Sequence, residues 1–133
     1  EVIEGADIFL DEPSVTGTEN AIMAAVAAKG TTILHNAASE PHVQDLCEML
    51  VALGAQVEGI GSNVLTIHGG RPLHGGTFRI GPDHIEVGSF IGLAAVTRSE
   101  IRIANAGVEH LRATPMGFER LGIRCNIEGP DLI

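Results

Sequence analysis

A chain of 133 residues with 17 acidic side chains against eight basic ones, for a formal charge of −9, is one domain's worth of polypeptide, enough for a real core but not for two large lobes. Its arginines are scattered, Lys29 is its sole lysine, and it has neither Trp nor Tyr, so no nucleic-acid or anionic-membrane partner is expected. No apolar run approaches a membrane span, and Cys47 and Cys125, far apart and without CxxC spacing, read as two buried reduced thiols of a soluble, cytoplasmic protein.

In chain order, the pattern predicts a strand over 7–10, a helix over 16–28, a strand over 31–35, a helix over 41–53, and strands over 56–60 and 64–68. A Gly-rich turn through Gly69, Gly70, Gly75 and Gly76 follows. The order then begins again, with strand 77–80, helix 83–96, strand 100–104, helix 115–121 and strand 124–128, and a final strand-like stretch at 131–133. Local sequence repeats too: Ala24-Ala25-Val26 recurs as Ala94-Ala95-Val96, Asn36-Ala37 as Asn105-Ala106, and Leu53-Gly54 as Leu121-Gly122. Thr16 and Glu19 have capping-box spacing, while Ser39 before Pro41 and Thr114 before Pro115 mark helix starts. Gly30, Gly54 and Gly122 stand where helices end. Val43, Leu46, Leu50 and Leu53 fall on one helix face and read as core.

The segment Asp11-Glu12-Pro13-Ser14-Val15-Thr16-Gly17-Thr18-Glu19-Asn20 sets a hydroxyl-rich turn at the start of the first helix. Unpaired N–H groups and the positive end of the helix dipole favour an anion there, and a phosphate suits it. An ordinary N-cap is the other reading of the same residues. Glu40, Asp83 and Glu86 are a second group of candidates, since two carboxylates in one cleft shift each other's pKa and move protons. Helix capping is the alternative for Glu40 and Asp83. The six histidines show neither HxxxH nor HExxH spacing, and no metal is expected. Gly59-Ile60-Gly61 and Gly69-Gly70 lack the context of a phosphate loop and read as turns between strands.

Taken with Glu40-Pro41-His42-Val43-Gln44-Asp45, then Leu53-Gly54-Ala55, then Gly81-Pro82-Asp83-His84-Ile85-Glu86-Val87-Gly88-Ser89-Phe90, this turn makes the chain resemble the enolpyruvyl transferase family in its UDP-N-acetylglucosamine branch. The likeness runs along essentially all 133 residues and covers the middle of the family's chain. It implies an α+β fold of βαβαββ repeats, the α/β prism or inside-out barrel, in which three units surround inward-facing helices in each of two lobes. Residues 1–76 would be one repeat, and 77–133 a second, incomplete one belonging to the other lobe.

The resemblance also implies roles. Ser14, Val15 and Thr16 match the turn that contacts the diphosphate, and Glu12 and Pro13 the two positions on the uridine side, where some members carry a lysine in place of Glu12. Glu40 and Asp83 match helix-start carboxylates near the interlobe region. UDP-N-acetylglucosamine and phosphoenolpyruvate are the implied substrates, with no organic cofactor. The family's general acid sits in a mobile Gly-Gly loop that these residues do not include. Its early Lys-Asn pair, its aspartate base and its late arginines have no counterpart either, so no catalytic residue is expected in this stretch and it should not turn over alone. Two rivals remain: the shikimate 3-phosphate branch of the same family, and a non-catalytic repeat module for binding or assembly. Helix faces rich in Ala, Ile, Leu and Val lead to an expectation of self-association.

Overall fold

Alternation along two strands organises the first half of the chain. In β2 (Gly30–His35) and β4 (Val64–Gly69), Thr32, Leu34, Leu65 and Ile67 point to one face and are buried, while Thr31, His35 and His68 point to the other. The computed structural model describes residues 2–133. Around this pair it sets β1 (Asp7–Phe9) parallel to β2 and β3 (Gln56–Glu58) antiparallel to β4, giving a sheet of order β1-β2-β4-β3. Helices α1 (Val15–Ala27) and α2 (Pro41–Ala52) supply the apolar partners of the buried face. Ile22, Val26, Leu34, Val43, Cys47, Leu50, Leu65 and Ile67 form one core, and each large side chain withdrawn from water contributes about 1.5–3 kcal/mol. Leu46 packs at its edge.

On the sheet's other face polar side chains stand beside Phe9, Ile33 and Val64. His35 meets Asp7 at 3.1 Å, and His68 lies 3.1 Å from both Glu58 and Thr31, so each short edge strand is tied to its neighbour by a histidine–carboxylate pair.

The chain divides into two compact units, the first ending at Ile80 and the second running Gly81–Ile133. In the second, α3 (His84–Thr97) and α4 (Ala113–Glu119) accompany a 3-10 turn at Val108–His110 and a hairpin of β5 (Ile127–Glu128) and β6 (Asp131–Leu132). Its core is Val87, Ile91, Ala106, Leu111 and Leu132. α3 is apolar on all sides and exposes Ile85, Phe90, Leu93 and Val96.

Local details recur between the units. Leu34 pairs with Leu65, and Ile103 bridges Leu132 in the same antiparallel sense. Asn36 and Asn105 are both left-handed, with φ of 57° and 50°. The next N–H in each case, Ala37 or Ala106, reaches across to Asn63 at 3.0 Å or Pro130 at 2.9 Å.

Strand pairing explains the differences between predicted and observed strands. Residues 100–104 were expected as a strand but make only the Ile103–Leu132 bridge, because their partner β6 is two residues long; residues 77–80 form no strand. β4 absorbs Gly69, expected in a turn, because Gly69 pairs with Gly30. α4 begins at Ala113 after Arg112, so Thr114 is inside it and not its cap. Cys47 is buried as expected, whereas Cys125 is only partly so. Among the described residues no helix is long and apolar enough to cross a membrane.

The hairpin carries a charge cluster. Asp131 accepts the Asn105 N–H at 3.0 Å and Arg102 Nη1 at 2.9 Å, while Arg102 Nη2 reaches Glu128 at 2.6 Å. The Asn105 bond, then the Arg102 guanidinium, hold the Asp131 carboxyl below its ordinary 3.8. A group depressed in this way contributes stability that is fully present above its unfolded pKa and lost as pH falls through the folded one. Amide signals of Ile103 and Leu132, followed below pH 3.8, are therefore expected to report loosening of the hairpin in acid. In Asp131→Asn that acid dependence should flatten.

Candidate functional site

The turn between β1 and α1 is built by three local choices. Pro13 fixes its own φ and disfavours helix at Glu12, and the Ser14 N–H closes back on the Glu12 carbonyl at 2.8 Å. Ser14 is then extended, φ −68° and ψ 127°, and its Oγ accepts the Gly17 N–H at 3.1 Å. Gly17 suits this cap because a β-carbon there would stand 3.1 Å from that Oγ. The first helical bond runs from the Thr18 N–H to the Ser14 carbonyl, 2.9 Å.

The helix therefore starts one residue earlier than predicted, with Ser14 as the cap. Thr16 lies inside the first turn, so Glu19 is too far along to close a capping box with it.

This arrangement leaves specific donors. The N–H groups of Val15 and Thr16 precede the first intrahelical bond, as at any helix start. Capping uses one lone pair of the Ser14 hydroxyl and leaves its proton available. Glu12, Pro13 and Thr16 are exposed, and Ser14 and Val15 half-buried. No Lys or Arg occurs from residue 4 to residue 28, so attraction for an anion rests on oriented N–H and O–H groups and the helix dipole.

The other candidates fall elsewhere. Glu40 sits at the N-cap of α2 with φ −59° and ψ 156°, but its side chain makes no capping bond; Pro41 at the next position removes one donor, and Gln44 Nε2 ties the start to the Ser39 carbonyl at 2.7 Å. Asp83 does cap α3, its Oδ1 accepting the Ile85 N–H at 2.8 Å and the Glu86 N–H at 3.3 Å. Glu86 is exposed in that first turn. Glu40 belongs to one unit and Asp83 and Glu86 to the other.

Ser14 and Asp83 thus hold matching places, each following a proline and capping the helix that opens its unit, with opposite electrostatic results. A neutral hydroxyl leaves the positive end of α1 open to an anion. A carboxylate occupies that of α3.

A pocket of about 370 Å³ in the second unit, of mixed character and lined by Ile91, Ile103 and Leu132 together with Glu100, Arg124 and Asn126 among others, contains none of the candidates. Ala94 and Ala95, on its wall, match Ala24 and Ala25 of α1, the helix against which β4 packs in the first unit. We read it as a packing surface. Burial, with a smaller push from Glu48, raises the Cys47 thiol to about 11, and burial with Glu119 raises that of Cys125. Neither is a thiolate nucleophile at neutral pH.

Sequence reasoning missed the residues that hold the turn from behind. Leu10 gives its N–H to the His35 carbonyl at 3.0 Å and takes the Asn36 Nδ2 proton on its own carbonyl at 2.9 Å, while the buried Thr18 Oγ1 accepts the Ala38 N–H at 3.0 Å. The recurrence of Asn36-Ala37 as Asn105-Ala106 was the one signal available.

Residues 1–129 match the profile of the family described as EPSP synthase (3-phosphoshikimate 1-carboxyvinyltransferase). The chain belongs to that family. Among relatives of this EPSP synthase family member, a protein of Bradyrhizobium diazoefficiens named UDP-N-acetylglucosamine 1-carboxyvinyltransferase is 70% identical over 131 residues, 98% of this chain and 30% of that protein. Proteins of the same name from Treponema denticola and Bacteroides fragilis are 58% and 54% identical, over 96% and 99% of this chain and 30% of each. The crystal structure of the enolpyruvyl transferase NikO from Streptomyces tendae shares the fold with a TM-score of 0.81 at 26% identity, covering 99% of this chain and 35% of that one. The chain spans about 30% of the length of the curated relatives it matches. Its fold is mixed α/β, in common with that enolpyruvyl transferase.

Proposed function

We propose that this chain is the central portion of an enzyme that moves the enolpyruvyl group of phosphoenolpyruvate to the 3-hydroxyl of UDP-N-acetylglucosamine. The observation that carries this reading is the 70% identity, over 98% of the chain, to a protein named for that acceptor. The three donors at Ser14, Val15 and Thr16 support it, because they suit a diphosphate without needing a lysine. In the reaction, the 3-hydroxyl gives up its proton to a base as its oxygen forms a bond to C2 of phosphoenolpyruvate, and C3 takes a proton from an acid. The tetrahedral adduct then loses a C3 proton and expels inorganic phosphate. No organic cofactor enters.

In this reading Ser14, Val15 and Thr16 hold the diphosphate, while Glu12 and Pro13 flank the uridine. Glu40, Asp83 and Glu86 are secondary candidates, and the groups that protonate and deprotonate come from outside these residues. Residues 1–76 are one βαβαββ repeat and 77–133 part of a second, in the other lobe of a prism-like enzyme whose closure excludes water. The product serves peptidoglycan precursor synthesis in the cytoplasm. By itself the 133-residue chain associates with copies of itself through the exposed side chains of α3.

A second reading, transfer to shikimate 3-phosphate, is favoured by the description of the family profile. Release of phosphate from phosphoenolpyruvate by the full-length enzyme separates the two. That release is expected to depend on UDP-N-acetylglucosamine; dependence on shikimate 3-phosphate alone would overturn the first reading.

A further inference from the structure

We propose that Asn36 is a positioning residue for the phosphate-binding turn, acting with the Thr18–Ala38 bond as a bracket that holds both ends of residues 11–17 at a fixed separation. This rests on reading that turn as the diphosphate seat. The turn's own internal bonds, Ser14 to Glu12 and Gly17 to Ser14, shape it but do not fix it to the sheet. Residues 35–38 do so. On the strand side, both backbone polar groups of Leu10, the last residue before the turn, are engaged by His35 and Asn36. On the helix side, the Thr18 hydroxyl, fully buried, receives the Ala38 N–H. Between these anchors Asn36 takes a left-handed φ of 57°, which brings its amide onto the Leu10 carbonyl, and Ala37 and Ala38 bury directly behind it. Asn is one of the few residues that accept this conformation. Donors fixed by packed neighbours bind an anion without first being ordered, which is where a bracket gains affinity.

Glycine accepts the same backbone, so Asn36→Gly deletes the amide and spares the bend. Three variants of the full-length enzyme separate the roles: Asn36→Gly, Ser14→Ala, and Ile67→Val as a control of comparable destabilisation in β4, away from the turn. Each is titrated with inorganic pyrophosphate while the amide shifts of Val15 and Thr16 are followed, and amide relaxation is measured at Asp11, Glu12 and Ser14. Asn36→Gly is expected to weaken pyrophosphate binding about threefold to tenfold and to raise fast motion at those three amides. Ile67→Val should do neither. If Asn36→Gly binds like Ile67→Val, Asn36 is structural only and the inference fails. If Ser14→Ala binds like the wild type, or the wild type gives no saturable shift, the diphosphate seat itself is wrong and the bracket falls with it.

Discussion

Ser14→Asp is expected to leave the first unit folded while raising the KM of the full-length enzyme for its UDP-sugar by about 5-fold to 1,000-fold. Asp caps helices as well as Ser does, and Asp83 shows the geometry, with one carboxylate oxygen taking two N–H groups of the next turn. Melting should therefore hold steady or rise slightly, since a negative charge at a helix start is stabilising. Ligand binding should go the other way. A full charge placed about 4 Å from a phosphate costs from about 1 kcal/mol in water to about 4 kcal/mol at the dielectric of a partly buried site, and it occupies the donors the phosphate needs. Ser14→Ala is the informative partner, expected to lose about 0.5–2 kcal/mol of stability with the cap. A Ser14→Asp enzyme with an unchanged KM would show that the diphosphate binds elsewhere.

Gly69→Ala is expected to be among the most destabilising single substitutions in the first unit. A β-carbon on Gly69 would run into the carbonyl oxygens of Ala25 in α1 and of Ala28, its C-cap, backbone atoms that give way only if the helix shifts from the sheet. That contact is part of the fold's closure, because the following Gly70 N–H also bonds the Val26 carbonyl at 3.1 Å. Overpacking of this kind costs typically 1–3 kcal/mol and occasionally more. With backbone on both sides of the clash the cost should reach about 3 kcal/mol, a fall of roughly 10–20 °C in Tm for a domain of this size. Gly75, which has nothing within 4 Å of its would-be β-carbon, is the control, and Gly75→Ala should melt near the wild type or slightly above it. Equal melting of the two variants would mean that α1 and β4 are not held as closely as described.

Both predictions depend on details that the sequence carried unevenly. The first unit was legible almost element by element, because Leu34, Leu65 and Ile67 alternate as strand residues should and Gly54 and Pro41 punctuate the second helix. Residues 100–104 read as a strand by the same alternation, yet a strand needs a partner along its length, and β6 offers a two-residue one. Pattern describes what a segment prefers; pairing decides it. At the turn, the run from Pro13 to Thr18 marked a helix start but not its cap, since Ser14, Thr16 and Thr18 all carry hydroxyls. Ser14 is the cap because it alone of the three is extended, with its Oγ taking the Gly17 N–H, while Thr16 and Thr18 lie inside the helix. Glu40 was a plausible side-chain cap and is not one, as the α2 start is instead fastened by Gln44 on Ser39. The hold of Asn36 on Leu10 spans 26 residues and has no local signature at all.

The contrast between the two helix starts gives the most direct measurement. Inorganic pyrophosphate titrated into the isotope-labelled full-length enzyme should move the amide signals of Val15 and Thr16 saturably and leave those of Ile85 and Glu86 in place, because Ser14 leaves its helix end open and the Asp83 carboxylate closes its own. Equal shifts at both helices, or shifts at neither, would contradict the assignment of residues 14–16 as the diphosphate seat.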